Sequence, residues 1–184
     1  MLTGSLVALV TPFDGNNRVD YPSLKRLVDF HVAQGSDALV ISGTTGESPT
    51  LRRSEHIELV GRALEIAAGR IPVIAGTGSN STSQSIELSN AVADPRLAAY
   101  MAVVPYYNKP TQEGMYRHFS AIADAVDKPL LLYNVPGRTV ADMLPETIAR
   151  LARHENIFGV KEATGDIERL KAIKALVADD FMLY

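Results

Sequence analysis

A lysine at the end of an apolar run is the residue in this sequence best suited to covalent chemistry. Residues 157–160 are apolar or glycine and lead directly to Lys161, and a Thr-Gly turn follows at residues 164–165. This pattern predicts a buried strand that ends at the lysine. Burial disfavours the ammonium form, and a neutral lysine amine can attack a carbonyl carbon to form a Schiff base. The alternative interpretation is a strand-end lysine that extends to solvent or pairs with Glu162.

Other reactive or polar side chains also follow apolar runs. Two threonines flanked by glycines follow residues 38–41, in a turn that leads toward a helix. Free N–H groups in such a turn suit a carboxylate or phosphate. Two adjacent tyrosines follow residues 99–104. The next run, residues 130–133, ends in a tyrosine, and an arginine follows it. Each has a structural alternative, namely a tight turn, packing aromatic rings or a surface arginine. These residues are Thr44, Thr45, Tyr106, Tyr107, Tyr133 and Arg138.

Apolar runs alternate with amphipathic helical patterns along the whole chain. The predicted strands cover residues 6–10, 38–41, 73–75, 99–104, 130–133 and 157–161, and a seventh begins at residues 181–184. This alternation predicts a parallel α/β fold. A doubly wound open sheet and a (β/α)₈ TIM barrel both fit, and six βα units of nearly uniform length favour a barrel truncated after the start of the seventh strand. Because no linker divides the chain, we expect one barrel domain over residues 1–184.

The helical segments carry recognisable start signals and apolar faces. Asp20 and Pro22 open the first helix, and Asp166 opens the last. In the second helix we expect Ser54 as the cap. The predicted inward faces of the second and last helices are Ile57, Val60, Leu64 and Ala68, and Ile167, Leu170, Ile173 and Val177.

In a barrel, the loops after the strands share one face, and that is where the active site forms. A lysine nucleophile, phenols for proton transfer, two hydroxyls and an arginine on that face would fit a lyase or aldolase that acts on a carbonyl substrate.

Composition excludes several other classes of protein. The chain has 184 residues, of which 46% are hydrophobic and 21% charged, and its formal net charge is −3. Neither a basic stripe for nucleic acid nor a membrane-spanning segment is present, so we expect a cytoplasmic protein that binds a small molecule or another subunit. Cysteine is absent, which rules out disulfides and cysteine-based metal sites. The four histidines lack metal-ligand spacing, and we expect surface or half-buried positions for them: His31, His56, His118 and His154.

Four motifs resemble those of the dihydrodipicolinate synthase family, a group of pyruvate-dependent class I aldolases related to N-acetylneuraminate lyase. The motifs are Gly43-Thr44-Thr45-Gly46-Glu47, Tyr106-Tyr107-Asn108, Tyr133-Asn134-Val135-Pro136-Gly137-Arg138-Thr139 and Lys161-Glu162-Ala163-Thr164-Gly165. The resemblance runs from residue 1 to residue 184. It implies condensation of pyruvate with L-aspartate 4-semialdehyde, in the diaminopimelate route to lysine, to give 4-hydroxy-tetrahydrodipicolinate.

The same resemblance assigns roles to individual residues. Lys161 would form the Schiff base with pyruvate, so that no metal or organic cofactor is needed, while Tyr133, Thr44 and Tyr107 would form a proton relay. Thr45 would hold the pyruvate carboxylate and Arg138 that of the semialdehyde. In the family, the tyrosine that matches Tyr107 comes from a neighbouring subunit, which implies a homo-oligomer, a dimer of dimers.

Two departures from the family pattern qualify this expectation. The family's chain is longer, since the end of the seventh strand, the eighth strand and a C-terminal helical region are missing here. The residues that match the family's lysine effector site are Ser48, His56, Asn80 and Tyr106. However, Arg53 and Gln84 stand where lysine-sensitive members commonly have histidine and glutamate, so we expect weak or absent feedback inhibition. A pyruvate aldolase with a sugar-aldehyde acceptor and an inactive truncated relative are the alternatives.

Overall fold

Within residues 2–184, a computed structural model contains seven strands and seven helices, plus one turn of 3-10 helix at Ser48–Thr50. The chain forms two compact units: residues up to 77 together with 88–99, and residues 78–87 together with 100–184. The strands are β1 (Leu6–Ala8), β2 (Ala38–Ile41), β3 (Val73–Gly76), β4 (Ala99–Val103), β5 (Leu130–Asn134), β6 (Ile157–Glu162) and β7 (Met182–Leu183). The helices are α1 (Tyr21–Ala33), α2 (Arg53–Ala67), α3 (Thr82–Ala91), α4 (Gln112–Ala125), α5 (Pro136–Thr139), α6 (Pro145–Leu151) and α7 (Ile167–Lys174), and α5 and α6 both lie between β5 and β6.

In the first unit, β1, β2 and β3 pair in parallel and in chain order. All four residues of β2 are buried, as expected for a strand with both faces covered. The prediction for β1 was too long, because the strand ends at Ala8 and Val10 is 49% exposed. The three residues of β1 are half-buried, not buried on both faces as the apolar run suggested.

The first helix follows its sequence signals, whereas the second differs from them. The Asp20 carboxylate accepts a hydrogen bond from the N–H of Ser23 at 3.0 Å and caps α1, as predicted. The prediction of Ser54 as the cap of α2 was wrong, since α2 begins at Arg53. There the Arg52 N–H donates to the Glu55 carboxylate at 2.9 Å.

The buried face of α2 also differs from the predicted one. Only two of the four residues that we expected inside are buried, Val60 and Leu64, and Ala68 is an exposed residue with positive φ that ends the helix. The buried stripe is His56, Leu59, Val60, Ala63, Leu64 and Ala67. His56 and, in α4, His118 are buried, so the expectation that all histidines lie at the surface or half-buried was wrong for these two.

In the second unit, β4, β5, β6 and β7 also pair in parallel and in chain order. All five residues of β5 are buried, and the register places Tyr133 opposite Lys161 and Asn134 opposite Glu162. In α4, Thr111 caps the helix by accepting a hydrogen bond from the Gly114 N–H at 3.1 Å.

The apolar face of α4 is buried, with Met115, Phe119 and Ile122 fully covered. In α7, by contrast, Ile173 is the one buried residue, and Ile167 is 68% exposed. The predicted inward face was therefore correct for Ile173 and wrong for Ile167, while Leu170 and Val177 are half-buried.

One short helix was not predicted. Directly after β5, α5 forms a single turn with Pro136 in its first position, where proline lacks only a hydrogen bond that the helix does not need. The Thr139 hydroxyl donates to the Val135 carbonyl at 3.1 Å, and Val140 ends the turn with φ 63°. The helix determines where Arg138 stands relative to the end of β5.

Candidate active site

The candidate nucleophile, Lys161, lies next to a buried tyrosine at the carboxyl end of the second unit's sheet. It is the fifth of the six residues of β6, and its register partner in β5 is Tyr133. The Lys161 Nζ lies 4.5 Å from the centroid of the Tyr133 ring. Its side chain is half-buried, and burial lowers the pKa of Lys161 below the ordinary lysine value.

An aromatic face attracts an ammonium group, but burial is the effect that decides the direction of this pKa shift. Among residues 2–184, no carboxylate forms an ion pair with Lys161. Lys161 therefore has a larger neutral fraction at a given pH than a solvated lysine, which is what a Schiff-base nucleophile needs.

The neighbouring carboxylate, Glu162, points to the other face of the sheet. Successive residues of a strand alternate between faces, so Glu162 shares a face with its register partner Asn134, not with Lys161. The Glu162 side chain is 1% exposed and forms an ion pair with Arg169, with Nε and Oε2 3.2 Å apart. Its Oε1 also accepts a hydrogen bond from the Thr164 N–H at 3.0 Å. The alternative in which Lys161 pairs with Glu162 is therefore wrong.

A second tyrosine flanks Lys161 on the side of β7. The Tyr184 N–H donates to the Val160 carbonyl at 3.0 Å, and the Glu162 N–H donates to the Tyr184 carbonyl at 2.9 Å. This is the hydrogen-bond pattern of a parallel pair between Tyr184 and Lys161, so their side chains share a face. Burial raises the pKa of the Tyr184 phenol. The sequence prediction did not single out this residue, although it lies three residues after Phe181 in the seventh apolar run.

Arg138 lies near the carboxyl end of β5 in the second unit. It is an exposed residue of α5, the helix that begins two residues after β5. A guanidinium on a strand-end loop is free to bind a carboxylate through two parallel hydrogen bonds. No contact joins Arg138 to Lys161 or Tyr133 within the described residues.

The two threonines of the first unit follow β2 and are exposed. The turn is closed by hydrogen bonds from the Glu47 N–H to the Thr44 carbonyl at 3.1 Å and from the Ser48 N–H to the Gly43 carbonyl at 3.3 Å. Neither the hydroxyls nor the N–H groups of Thr44 and Thr45 bond to another described residue. Outward N–H groups in a turn suit an anion.

Gly46 allows this turn to pack closely against the chain before it. A Cβ at Gly46 would lie 3.0 Å from the Leu9 carbonyl oxygen and 3.2 Å from the Thr11 hydroxyl, which itself donates to the Gly46 carbonyl at 2.6 Å. The choice of glycine here is thus explained by a close approach of two backbones.

Within this chain, Tyr107 lies apart from Lys161 and Tyr133. Its side chain is 89% exposed, and its backbone has φ 73°, an uncommon conformation for a residue other than glycine. The adjacent Tyr106 is half-buried, and its carbonyl accepts a hydrogen bond from the Asn108 N–H at 2.9 Å.

The four effector-site candidates are divided between the units. In the first unit, Ser48 begins the 3-10 turn and His56 is buried in α2, where its Nε2 has no hydrogen-bond partner. In the second unit, the Asn80 carbonyl accepts a hydrogen bond from the Asn108 amide at 3.1 Å, and Tyr106 lies two residues before Asn108.

Neither a metal centre nor a membrane-spanning helix is formed within residues 2–184. No group of three or more histidine, aspartate or glutamate side chains is arranged to hold a metal ion. No helix in this part of the chain has both the length and the apolar character to span a bilayer.

Comparison with known proteins places these features in a family. Residues 1–184 match the profile of the dihydrodipicolinate synthetase family. This chain belongs to that family. The sequence prediction of the family, which rested on the four motifs, is confirmed. Proteins named 4-hydroxy-tetrahydrodipicolinate synthase from Psychromonas ingrahamii and Pseudoalteromonas atlantica are 59% identical to it, over 100% and 99% of this chain and 63% and 62% of their own lengths.

Solved structures of the dihydrodipicolinate synthase family have the same fold. The chloride-inhibited synthase from Acinetobacter baumannii complexed with pyruvate matches 100% of this chain and 63% of its own, with 48% identity and a TM-score of 0.97. The synthase from Cyanidioschyzon merolae with lysine bound matches with 44% identity and a TM-score of 0.95. The chain thus spans about 63% of the length of these relatives. With the parallel strand order, these matches confirm the predicted (β/α)₈ fold class, covered here through six βα units and the start of the seventh strand.

Proposed function

We propose that the protein containing this chain condenses pyruvate with L-aspartate 4-semialdehyde through a Schiff base on Lys161. The observation that carries this proposal is a half-buried lysine 4.5 Å from a buried tyrosine ring, without a carboxylate partner among residues 2–184 and with a lowered pKa. Membership of the dihydrodipicolinate synthetase family supports the choice of substrates.

The proposed first step is attack of the neutral Lys161 amine on the pyruvate carbonyl carbon. The carbonyl oxygen takes up protons and leaves as water, which gives the imine; loss of a methyl proton then gives an enamine. The enamine carbon attacks the aldehyde carbon of the semialdehyde, and the acceptor's own amine finally displaces Lys161 as the ring closes. Lysine thus supplies the covalent chemistry, and we propose that no metal or organic cofactor takes part.

Dehydration and enamine formation need an acid and a base near the imine, and Tyr133 is the phenol that contacts Lys161. We propose that Thr44 and Tyr107 complete a proton relay with Tyr133, as the family resemblance implies. The exposed ring of Tyr107, 89% accessible in one chain, supports a role in which it enters the site of a neighbouring subunit of a homo-oligomer. One related structure is of a monomeric variant, so the oligomeric state requires its own test.

The two substrate carboxylates need separate binding groups. We propose that the free hydroxyl and N–H of Thr45 hold the pyruvate carboxylate, which is the ligand that outward N–H groups in a turn suit. Arg138, exposed on α5, would hold the carboxylate of the semialdehyde.

A condensation assay tests the proposed activity. The protein, expressed at its natural length, is incubated with pyruvate and either L-aspartate 4-semialdehyde or a sugar aldehyde, and loss of pyruvate is followed with and without a chelator. We expect turnover with the semialdehyde only, unchanged by the chelator. Turnover with the sugar aldehyde alone would instead favour the related aldolase activity, and no turnover with either would indicate a non-catalytic relative.

A further inference from the structure

Behind Lys161, on the opposite face of the sheet, lies a group of polar side chains that the proposed reaction does not use. We call it the Arg169 cluster; it consists of Asn134, Asp142, Glu162 and Arg169. The Arg169 Nη1 and Nη2 donate to the two oxygens of Asp142 at 3.1 and 2.8 Å, and Nε donates to Glu162 at 3.2 Å. The Asn134 amide donates to Asp142 at 3.0 Å and to Glu162 at 3.0 and 3.2 Å.

The cluster ties four segments of the second unit together. Asn134 ends β5, Glu162 ends β6, Arg169 lies in α7, and Asp142 lies between α5 and α6. The loop that contains Asp142 is held at two further points, because Arg169 donates to the Met143 carbonyl at 2.6 Å and the Met143 N–H donates to the Asn134 side chain at 3.0 Å. All these contacts join segments at the carboxyl edge of the sheet.

The register places the cluster directly behind the candidate nucleophile. Tyr133 is opposite Lys161 on one face, and Asn134 is opposite Glu162 on the other. Each strand therefore contributes one residue to the candidate active site and the next to the cluster. A displacement of Glu162 would move the backbone that carries Lys161.

Burial makes the charge balance of the cluster important. The side chains of Glu162 and Arg169 are 1% and 14% exposed, and Asn134 is fully buried. A buried carboxylate that loses its cationic partner is strongly disfavoured and interacts with other charges across a low-dielectric medium. Arg169 is the cation that contacts Glu162.

We propose that Arg169 is a positioning residue for the Schiff-base step: it holds the Glu162 carboxylate on the outer face of the sheet and compensates its charge, so that the adjacent Lys161 amine has no anionic neighbour. This role rests on the proposed function, because it acts through Lys161 and touches no substrate.

The groups around Lys161 determine the sign of the expected effect. On its own face, Tyr133 of β5 contacts its Nζ, and Tyr184 pairs with it from the side of β7. On the opposite face, Glu162 is surrounded by Asn134 of β5, by Arg169 of α7 and, through Arg169, by Asp142. Loss of the Arg169 charge leaves the carboxylates uncompensated. That would favour the ammonium form and raise the pKa of Lys161.

The experiment measures how imine formation depends on pH. The protein at its natural length is mixed with pyruvate and sodium cyanoborohydride between pH 5 and pH 10, and the rate of adduct formation is followed by intact-protein mass. Arg169→Gln should move the midpoint of this profile up by roughly one pH unit. Arg169→Lys, which keeps the charge, should stay within a few tenths of a unit of wild type. Glu162→Gln should move the midpoint down, and the double variant E162Q/R169Q should return it toward wild type.

A matched control separates this effect from a general loss of surface charge. Arg117→Gln removes an exposed guanidinium that pairs with Glu113 on α4 and forms no hydrogen bond or ion pair with the Arg169 cluster within residues 2–184, so it should leave the profile unchanged. If Arg169→Gln does not fold, the downward shift in Glu162→Gln carries the test. An adduct in wild type with the same midpoint in Arg169→Gln and Glu162→Gln would overturn this inference alone. Absence of any adduct in wild type would overturn the proposed function as well.

Discussion

At the scale of single residues, burial controls the ionisation of the two side chains that matter most here. It lowers the pKa of Lys161 at the sheet edge, and in α4 it lowers the pKa of His118 to about 4. The His118 Nδ1 lies 2.8 Å from the Thr82 hydroxyl, while its Nε2 has no hydrogen-bond partner. The folded protein therefore favours the neutral form of the His118 ring. Protonation of this ring at low pH destabilises the folded state.

His118 should therefore make stability fall as the pH falls. The unfolded histidine binds a proton near pH 6.5 and the folded one near pH 4. The unfolded state thus holds more protons in this interval, and stability is lost as the pH drops through it. This difference between the two pKa values corresponds to a loss of about 3 kcal/mol in the free energy of unfolding. Urea unfolding of wild type between pH 7 and pH 4 measures this loss, and His118→Gln should reduce it.

Thr82→Ala provides the control, because it removes the hydrogen bond and keeps the titrating ring. We expect lower stability at every pH with the pH dependence retained. A His118→Gln variant with the full wild-type loss would show that other groups cause it.

At the scale of elements, the short helix α5 stores backbone strain beside Arg138. Val140 ends the helix with φ 63° and is 70% exposed. Its side chain therefore forms few packing contacts that could offset the cost of this backbone conformation. A β-branched residue is disfavoured in this left-handed conformation by about 1–2 kcal/mol. The strained position lies two residues after Arg138, and Thr139 between them is anchored through its hydroxyl to the carbonyls of Val135 and Ala141.

Val140→Gly should stabilise the protein. Relief of the strain exceeds the added chain entropy of glycine in the unfolded state, and we expect a net gain of about 0.5–1 kcal/mol. Thermal unfolding measures the gain. Val126→Gly, at a position with φ −115°, relieves no such strain and also removes a buried side chain, so it should destabilise. A lower melting temperature for Val140→Gly would contradict this account of α5.

Elements with strong local signals were predictable from the sequence, and elements set by tertiary contacts were not. Strands β2 to β6 appeared as apolar runs, and Asp20 and Asp166 marked helix starts correctly. The buried face of α2 was only half found, because apolar residues occur on more than one side of this helix and only tertiary packing selects the side that is buried. Of the candidate site, Lys161 and Tyr133 were found together. Arg169 gave no signal, because its ion pair with Glu162 joins a helix to a strand and leaves no pattern in the sequence.

At the scale of the whole molecule, the exposed Tyr107 links the proposed chemistry to assembly. Its ring is 89% accessible in one chain and has no contact with Lys161. If a neighbouring subunit supplies this phenol, as we propose, each active site combines Lys161 of one chain with Tyr107 of another.

Mixing two impaired variants tests this arrangement. Lys161→Ala and Tyr107→Phe should each lose most activity alone, while a refolded or co-expressed mixture should regain a substantial part of it. If each site takes Lys161 from one chain and Tyr107 from the other, a mixed dimer has one site in which both residues are intact. If both residues come from the same chain, no site in the mixed dimer has both intact. A mixture no more active than its components would place both residues in the same chain.

The response to L-lysine is a further expectation at this scale, and it rests on the family resemblance. Where the resemblance implies an acidic side chain, this chain has Gln84, an exposed residue of α3, which would remove a partner for the ammonium group of lysine. We expect weak or no inhibition by L-lysine and stronger inhibition in Gln84→Glu. Titration of the condensation rate with L-lysine measures both, and half-inhibition of wild type at micromolar lysine would refute the expectation.

The central claim is that Lys161 forms an imine with pyruvate, and trapping the adduct tests it most directly. The protein at its natural length is incubated with pyruvate, reduced with borohydride, digested and mapped by peptide mass. We predict a single adduct on the peptide that contains Lys161, and none in Lys161→Ala. An adduct on another lysine, or none from folded protein, would contradict the claim.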